Sequence, residues 1–125
     1  MAGEQDPAAR LAAFAAAYVR FAVTDRALFE VTFRAGLDKA DHPGLDDAGQ
    51  DVLVILQDPA RRLRPDDSSA LELVYAVAAS AHGFAMFLLE GVFPDGDDTL
   101  DRVEARARRS AASLAEAEAA ADFLP

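Results

Sequence analysis

A chain of 125 residues and 13.3 kDa has room for one domain and little else. Its 12 Lys+Arg face 22 Asp+Glu, giving a net charge of −10, while 52% of its residues are apolar. That excludes a disordered acidic chain, and it excludes this chain alone as a DNA binder, because phosphate contacts need clustered Lys and Arg. There is no cysteine, so disulfide frameworks, thiolate zinc sites and cysteine nucleophiles are excluded, in keeping with a reducing cytoplasm. The N-terminal residues lack a basic n-region and an apolar h-region, so no signal peptide is expected. Arg20, His82 and Glu90 interrupt the longest apolar runs, so no membrane span is expected either. Lys39 is the only lysine, and the Ala/Arg/Asp bias is that of a GC-rich bacterial genome. Residues 1–6 read as a flexible tail on a single domain spanning the chain.

The periodicity is helical almost throughout. Asp6-Pro7 is a start signal, with Asp as cap and Pro at the first helical position. Leu11, Phe14, Ala15, Tyr18, Phe21 and Ala22 then recur at helical spacing, forming one apolar face. Thr24-Asp25 interrupts that helix and caps a second, which carries Leu28, Phe29, Val31, Thr32, Phe33 and Ala35 and stops at Gly36. Residues 36–44 are polar, end in Pro-Gly and read as a loop. A third helix starts near Leu45 with Ala48, Val52, Ile55, Leu56 and Leu63 as its apolar positions. Pro59 is expected to kink it or divide it in two.

Arg64 to Ser69 form a second break. The fourth helix, about 69–90, leaves almost no polar face, which predicts burial from several sides. Gly91, Pro94, Asp95 and Gly96 make a turn. The fifth helix, about 98–121, carries a stripe of mostly small residues: Leu100, Val103, Ala107, Ala111, Leu114 and Ala121. Glu104, Arg106, Arg108, Arg109 and Glu116 are its expected solvent positions. No strand pattern competes. The fold class is all-α with five to six helices. A fourth helix apolar on every side, beside a fifth with a small-residue stripe, points to a homodimer through the last two helices.

Few residues carry chemistry. His82-Gly83 lies mid-helix in an apolar run, where Gly costs about 1 kcal/mol against Ala. A backbone or ligand passing close to residue 83 would account for it. The simpler reading of His82 is a core histidine bonded to a polar neighbour; the functional reading is a polar group that orients a ligand in an apolar cavity. Large rings at Phe14, Tyr18, Phe21, Phe29, Phe33, Tyr75, Phe84 and Phe87 fill a core, or leave a cavity beside small neighbours to which Met86 adapts. His42 sits among Asp38, Asp41, Asp46 and Asp47, and Asp95-Gly-Asp-Asp98 is a fragment of a calcium loop. Neither has the spacing of a metal site, and no metal or cofactor is expected. No phosphate loop, HExxH or GxSxG is present, so no enzyme is expected. Arg61, Arg62 and Arg64 read as a solvated helix end, and Arg106, Arg108 and Arg109 as surface ion pairs.

Tyr18-Val-Arg-Phe-Ala22, then Leu28-Phe29 and Phe33, then His82-Gly-Phe-Ala-Met-Phe-Leu-Leu-Glu-Gly91 resemble the C-terminal regulatory domain of TetR/AcrR-type transcriptional regulators. The closest subgroup is the one named for a Trp…His-Gly signature, the WHG domain. The ordered segments cover nearly the whole chain, including the final helix. The position four residues before the histidine, where the family has Trp, is Ala78, and the nearest aromatic is Tyr75. Family members carry an N-terminal helix-turn-helix before this domain; here the domain begins within the first dozen residues, so none is expected in this sequence.

The resemblance implies a ligand-sensing domain that dimerises through its last two helices as a four-helix bundle and binds a small, largely apolar effector to control transcription. Residues 75, 78, 82 and 86 share one face of the fourth helix, and 14, 18 and 21 one face of the first. The expected cavity lies among the first four helices, lined by Phe14, Tyr18, Phe21, Phe33, Ile55, Leu56, Tyr75, Ala78 and Met86, with His82 as its polar contact. The alternatives are a dimerisation module with a filled core, standing alone or pairing with a full-length regulator.

Overall fold

The computed structural model describes residues 6–33, 43–94 and 96–117, with five helices and, among these residues, no strand. They are α1 (Pro7–Thr24), α2 (Arg26–Phe33), α3 (Pro43–Leu63), α4 (Asp67–Leu89) and α5 (Thr99–Glu116). The expected Gly36 stop, the acidic surroundings of His42, the Asp95 end of the turn and the fifth helix beyond residue 117 lie outside the described residues.

Cap chemistry sets the helix starts. The Asp6 carboxylate accepts from the Ala9 amide at 2.9 Å, and Pro7 follows at the first helical position. Asp6 is thus the cap of α1 and not part of a tail. Asp66 does the same for α4, accepting from Ser69 at 2.7 Å. Its acid is held below the ordinary carboxylate range, chiefly by that backbone bond. α4 ends in a Schellman motif: the Val92 amide donates to the Phe87 carbonyl and the Gly91 amide to Leu88. Gly91 has φ 75°, the left-handed conformation such an ending requires.

Pro59 does not divide the third helix. α3 runs unbroken through it, with Pro59 buried on the inner side.

α1 is the central element and packs along α5, α4 and α3. The core joins Leu11, Ala15, Val19 and Ala22 of α1 to Leu56 and Ala60 of α3, Val74, Val77 and Ala81 of α4, and Val103, Ala107 and Ala111 of α5. The small-residue stripe of α5 is therefore spent inside the protomer, where alanines let α1 and α5 approach closely. Ala111 is 1% exposed. Arg20 of α1 spans to α5, reaching Glu104 at 2.6 Å and Asp101 at 3.2 Å. Glu104, expected in solvent, is instead largely buried as the partner of Arg20.

Arg64, also expected in solvent, turns inward. Its guanidinium donates to the carbonyls of Leu114 (3.0 Å) and Ala115 (3.1 Å), and to Leu63. The last carbonyls of a helix have no partner within it. A cation from the α3–α4 linker satisfies two of them at the negative end of the α5 dipole. Arg106 makes no ion pair among the described residues and lies over the Phe93 ring, 5.8 Å from its centroid.

α4 is buried on one side only. Ala70, Val74, Val77, Ala81 and Ala85 face the core, whereas Leu71, Tyr75 and Phe87 are 40–50% exposed. With 23 residues and a mean hydropathy of 1.5 over its most apolar window, α4 is long and apolar enough to cross a membrane, although His82 lies within it. In this fold α1, α3 and α5 pack against its one buried side.

Candidate functional site

The polar centre of the apolar interior lies where α1, α2 and α4 meet. Tyr18 arrives from the inner face of α1, one turn beyond Phe14, and His82 from the flank of α4. Their Oη and Nδ1 atoms are 2.7 Å apart. Burial pushes the Tyr18 phenol far above its usual range and the His82 imidazole below its own. Both are therefore neutral near pH 7, and either neutral tautomer of His82 completes the bond.

Phe29 of α2 closes this pair. It is fully buried, stacks on His82 with ring centroids 5.7 Å apart at 29°, and meets Tyr18 edge-on at 5.7 Å. Phe14 lies against Tyr18 at 5.8 Å and Phe21 against Phe29 at 6.0 Å. The result is one hydrogen-bonded polar pair inside a cluster of rings. It can orient a ligand through a single hydrogen bond and bury the ligand's apolar body.

A family model described as the tetracyclin repressor-like C-terminal domain matches residues 11–121. The chain belongs to the tetracycline repressor-like C-terminal domain family. No curated protein and no solved structure matches it.

In this TetR-like domain the expected site residues separate into three groups. Phe14, Tyr18, Phe21 and His82 are brought together as described. Ala78 and Met86 are half-buried on α4, one turn either side of His82, and Leu56 is buried in the core. Ile55 and Tyr75 are not in the interior: they are 59% and 49% exposed. Helical geometry separates Ile55 from Leu56 by 100°, so only one of the two adjacent residues faces inward. The side chain of Phe33 lies outside the described residues.

Phe29 is the site residue that the spacing argument missed. It stood in the Leu28-Phe29 segment and among the eight rings, but was not placed beside His82. The ring on His82 comes from α2, whereas Tyr75, the nearest aromatic to the missing Trp position, points to solvent.

No described residue approaches Gly83. A Cβ built there meets nothing within 4 Å. The free space lies outward, on the side of α4 opposite Val77, Ala81 and Ala85. Ala76 and Ala79 share that side at helical spacing.

Proposed function

We propose that this TetR-like domain is the effector-binding and dimerisation domain of a cytoplasmic bacterial transcription regulator, holding a small, largely apolar molecule without transforming it. The Tyr18–His82 hydrogen bond inside an aromatic cluster carries this reading. Sites for apolar effectors combine ring-lined walls with a few placed polar groups. The effector sits against Tyr18, Phe29 and His82, between Ala78 and Met86, with Phe14, Phe21, Phe33 and Leu56 extending the wall. Tyr18, Phe29 and His82 are already in mutual contact, so the occupant displaces a ring, and Phe29 on the eight-residue α2 is the one to yield.

Dimerisation uses the outward face of α4 and the neighbouring face of α5. Ala76, Ala79 and Gly83 permit close approach of a partner helix, and the exposed Tyr75 and Phe87 supply apolar area at its edges. Such a bundle couples effector and partner through one helix, since His82 and Gly83 are consecutive. This chain alone does not contact DNA, because its net charge of −10 opposes binding to phosphates.

The test is a thermal-shift screen of apolar metabolites against the wild-type chain and Ala78→Trp. An effector at a hundredfold excess over its Kd stabilises the fold by about 2.7 kcal/mol. The reading expects hits that the added indole weakens or removes. A dimer with no hit at all favours the second reading, a structural dimerisation module, for which the ring-to-ring packing of Tyr18, Phe29 and His82 speaks.

A further inference from the structure

A second recess lies at the opposite end of α4. Between the last turns of α3 and the first two turns of α4 is a cleft of about 210 Å³, lined by Gln57, Arg61, Asp67, Ala70, Leu71 and Val74. Val74 is separated from His82 by eight residues, or about 12 Å of helix, so this cleft is distinct from the ring cluster. Its floor is apolar and incompletely covered: Leu71 remains 40% exposed. Its polar groups, Gln57 and Arg61 from α3 and Asp67 from α4, are poorly engaged. The Gln57 amide has no hydrogen bond among the described residues. The Arg61 guanidinium has only Asp67, at 3.8 Å, beyond hydrogen-bond length, and the Asp67 side chain is 94% exposed.

We propose that this cleft binds a small monocarboxylate with a compact apolar body, such as an aryl carboxylate. The volume is adequate, since a cavity of about 150 Å³ already accepts benzene. The apolar body rests on Ala70, Leu71 and Val74. The carboxylate takes a forked pair of hydrogen bonds from Arg61, a geometry that arginine satisfies better than any other side chain, and a further bond from the Gln57 amide. Asp67 loses nothing by releasing Arg61, because a 3.8 Å contact between exposed groups contributes little. A primary amine in place of the carboxylate would face Arg61 directly, and a neutral amide would lose the charge-assisted pair.

The site also touches the rest of the fold. Arg61 and Asp67 flank Arg64, whose guanidinium holds the final carbonyls of α5. A ligand that changes the spacing of α3 and α4 at this corner therefore moves the residue that anchors α5.

The test uses benzoate and benzamide on the full 125-residue chain, followed by amide and methyl chemical shifts. Benzoate is expected to shift Gln57, Arg61, Leu71 and Val74 saturably, with benzamide at least about tenfold weaker. Arg61→Gln weakens benzoate about tenfold, and Asp67→Asn tightens it by removing the competing anion. Because Arg61 and Asp67 are both exposed, these variants keep the fold, as circular dichroism will verify. Equal affinity for the two compounds, benzoate shifts confined to Tyr18, Phe29 and His82, or no shift at about 10 mM benzoate would each overturn the proposal.

Discussion

The Tyr18 phenol and the His82 imidazole, 64 positions apart in sequence, meet at 2.7 Å in the interior, and burial moves their titrations in opposite directions. The folded pKa of His82 lies below its ordinary value of about 6.5, so the unfolded chain binds the proton more readily. This stability is complete above about pH 6.5 and is lost as pH falls through the folded value. Tyr18 is the mirror case: its raised folded pKa gives stability that is complete below about pH 10 and lost at higher pH. Urea unfolding across the pH range is expected to show both declines, with His82→Gln flattening the acid limb and Tyr18→Phe the alkaline limb.

Gly83 separates the needs of the folded chain from those of the proposed dimer. Its missing Cβ protects nothing inside the chain, so Gly83→Ala is expected to stabilise the isolated protomer by about 1 kcal/mol through helix propensity. If a partner helix passes here, the same change weakens association. Sedimentation equilibrium measures the second effect and dilute thermal melts the first. Ala79→Glu, on the same outward side, is expected to give monomers that remain folded.

Ala111 behaves differently because it is buried against the protomer's own helices. Ala111→Glu places an unpaired charge in the core and is expected to cost about 4 kcal/mol or more. Circular dichroism should register unfolding at all concentrations, not a change of oligomeric state.

Arg64 joins the α3–α4 linker to the end of α5. Arg64→Ala leaves the Leu114 and Ala115 carbonyls without these donors, and a cost of about 1–3 kcal/mol is expected. Arg64→Lys keeps the charge and loses the fork, recovering only part of it. Hydrogen exchange should quicken most in the last turn of α5.

Most of the helical architecture was legible because it rests on local signals. Asp6-Pro7 and Gly91 mark ends by chemistry that acts over three or four residues, and the 3.6-residue period assigns the inner face of α1. For α4, apolar on almost every side, the period picked out no inner face, and the expected burial from several sides gave way to burial on one. What stayed hidden depends on which elements become neighbours. Nothing in the sequence says that the α5 alanines face α1 and not a second chain, that Arg64 reaches residues 114 and 115, or that Glu104 turns to Arg20. Pro59 left a kink and a division of α3 both open, and the continuous helix excludes the division. In the candidate site, same-helix relations such as 14/18 and 78/82/86 were readable. The placement of Phe29 on His82 required knowing how α2 folds back. Ile55 was assigned inward together with Leu56, though 100° of rotation parts them.

The most direct test of the effector-site reading is the ring resonances of His82 followed during titration with an apolar compound taken from the thermal-shift screen. The account predicts saturable shifts of the His82 imidazole, accompanied by Tyr18 and Phe29, with a midpoint equal to the Kd from the thermal shift. A compound that stabilises the chain while leaving all three rings unmoved would contradict it.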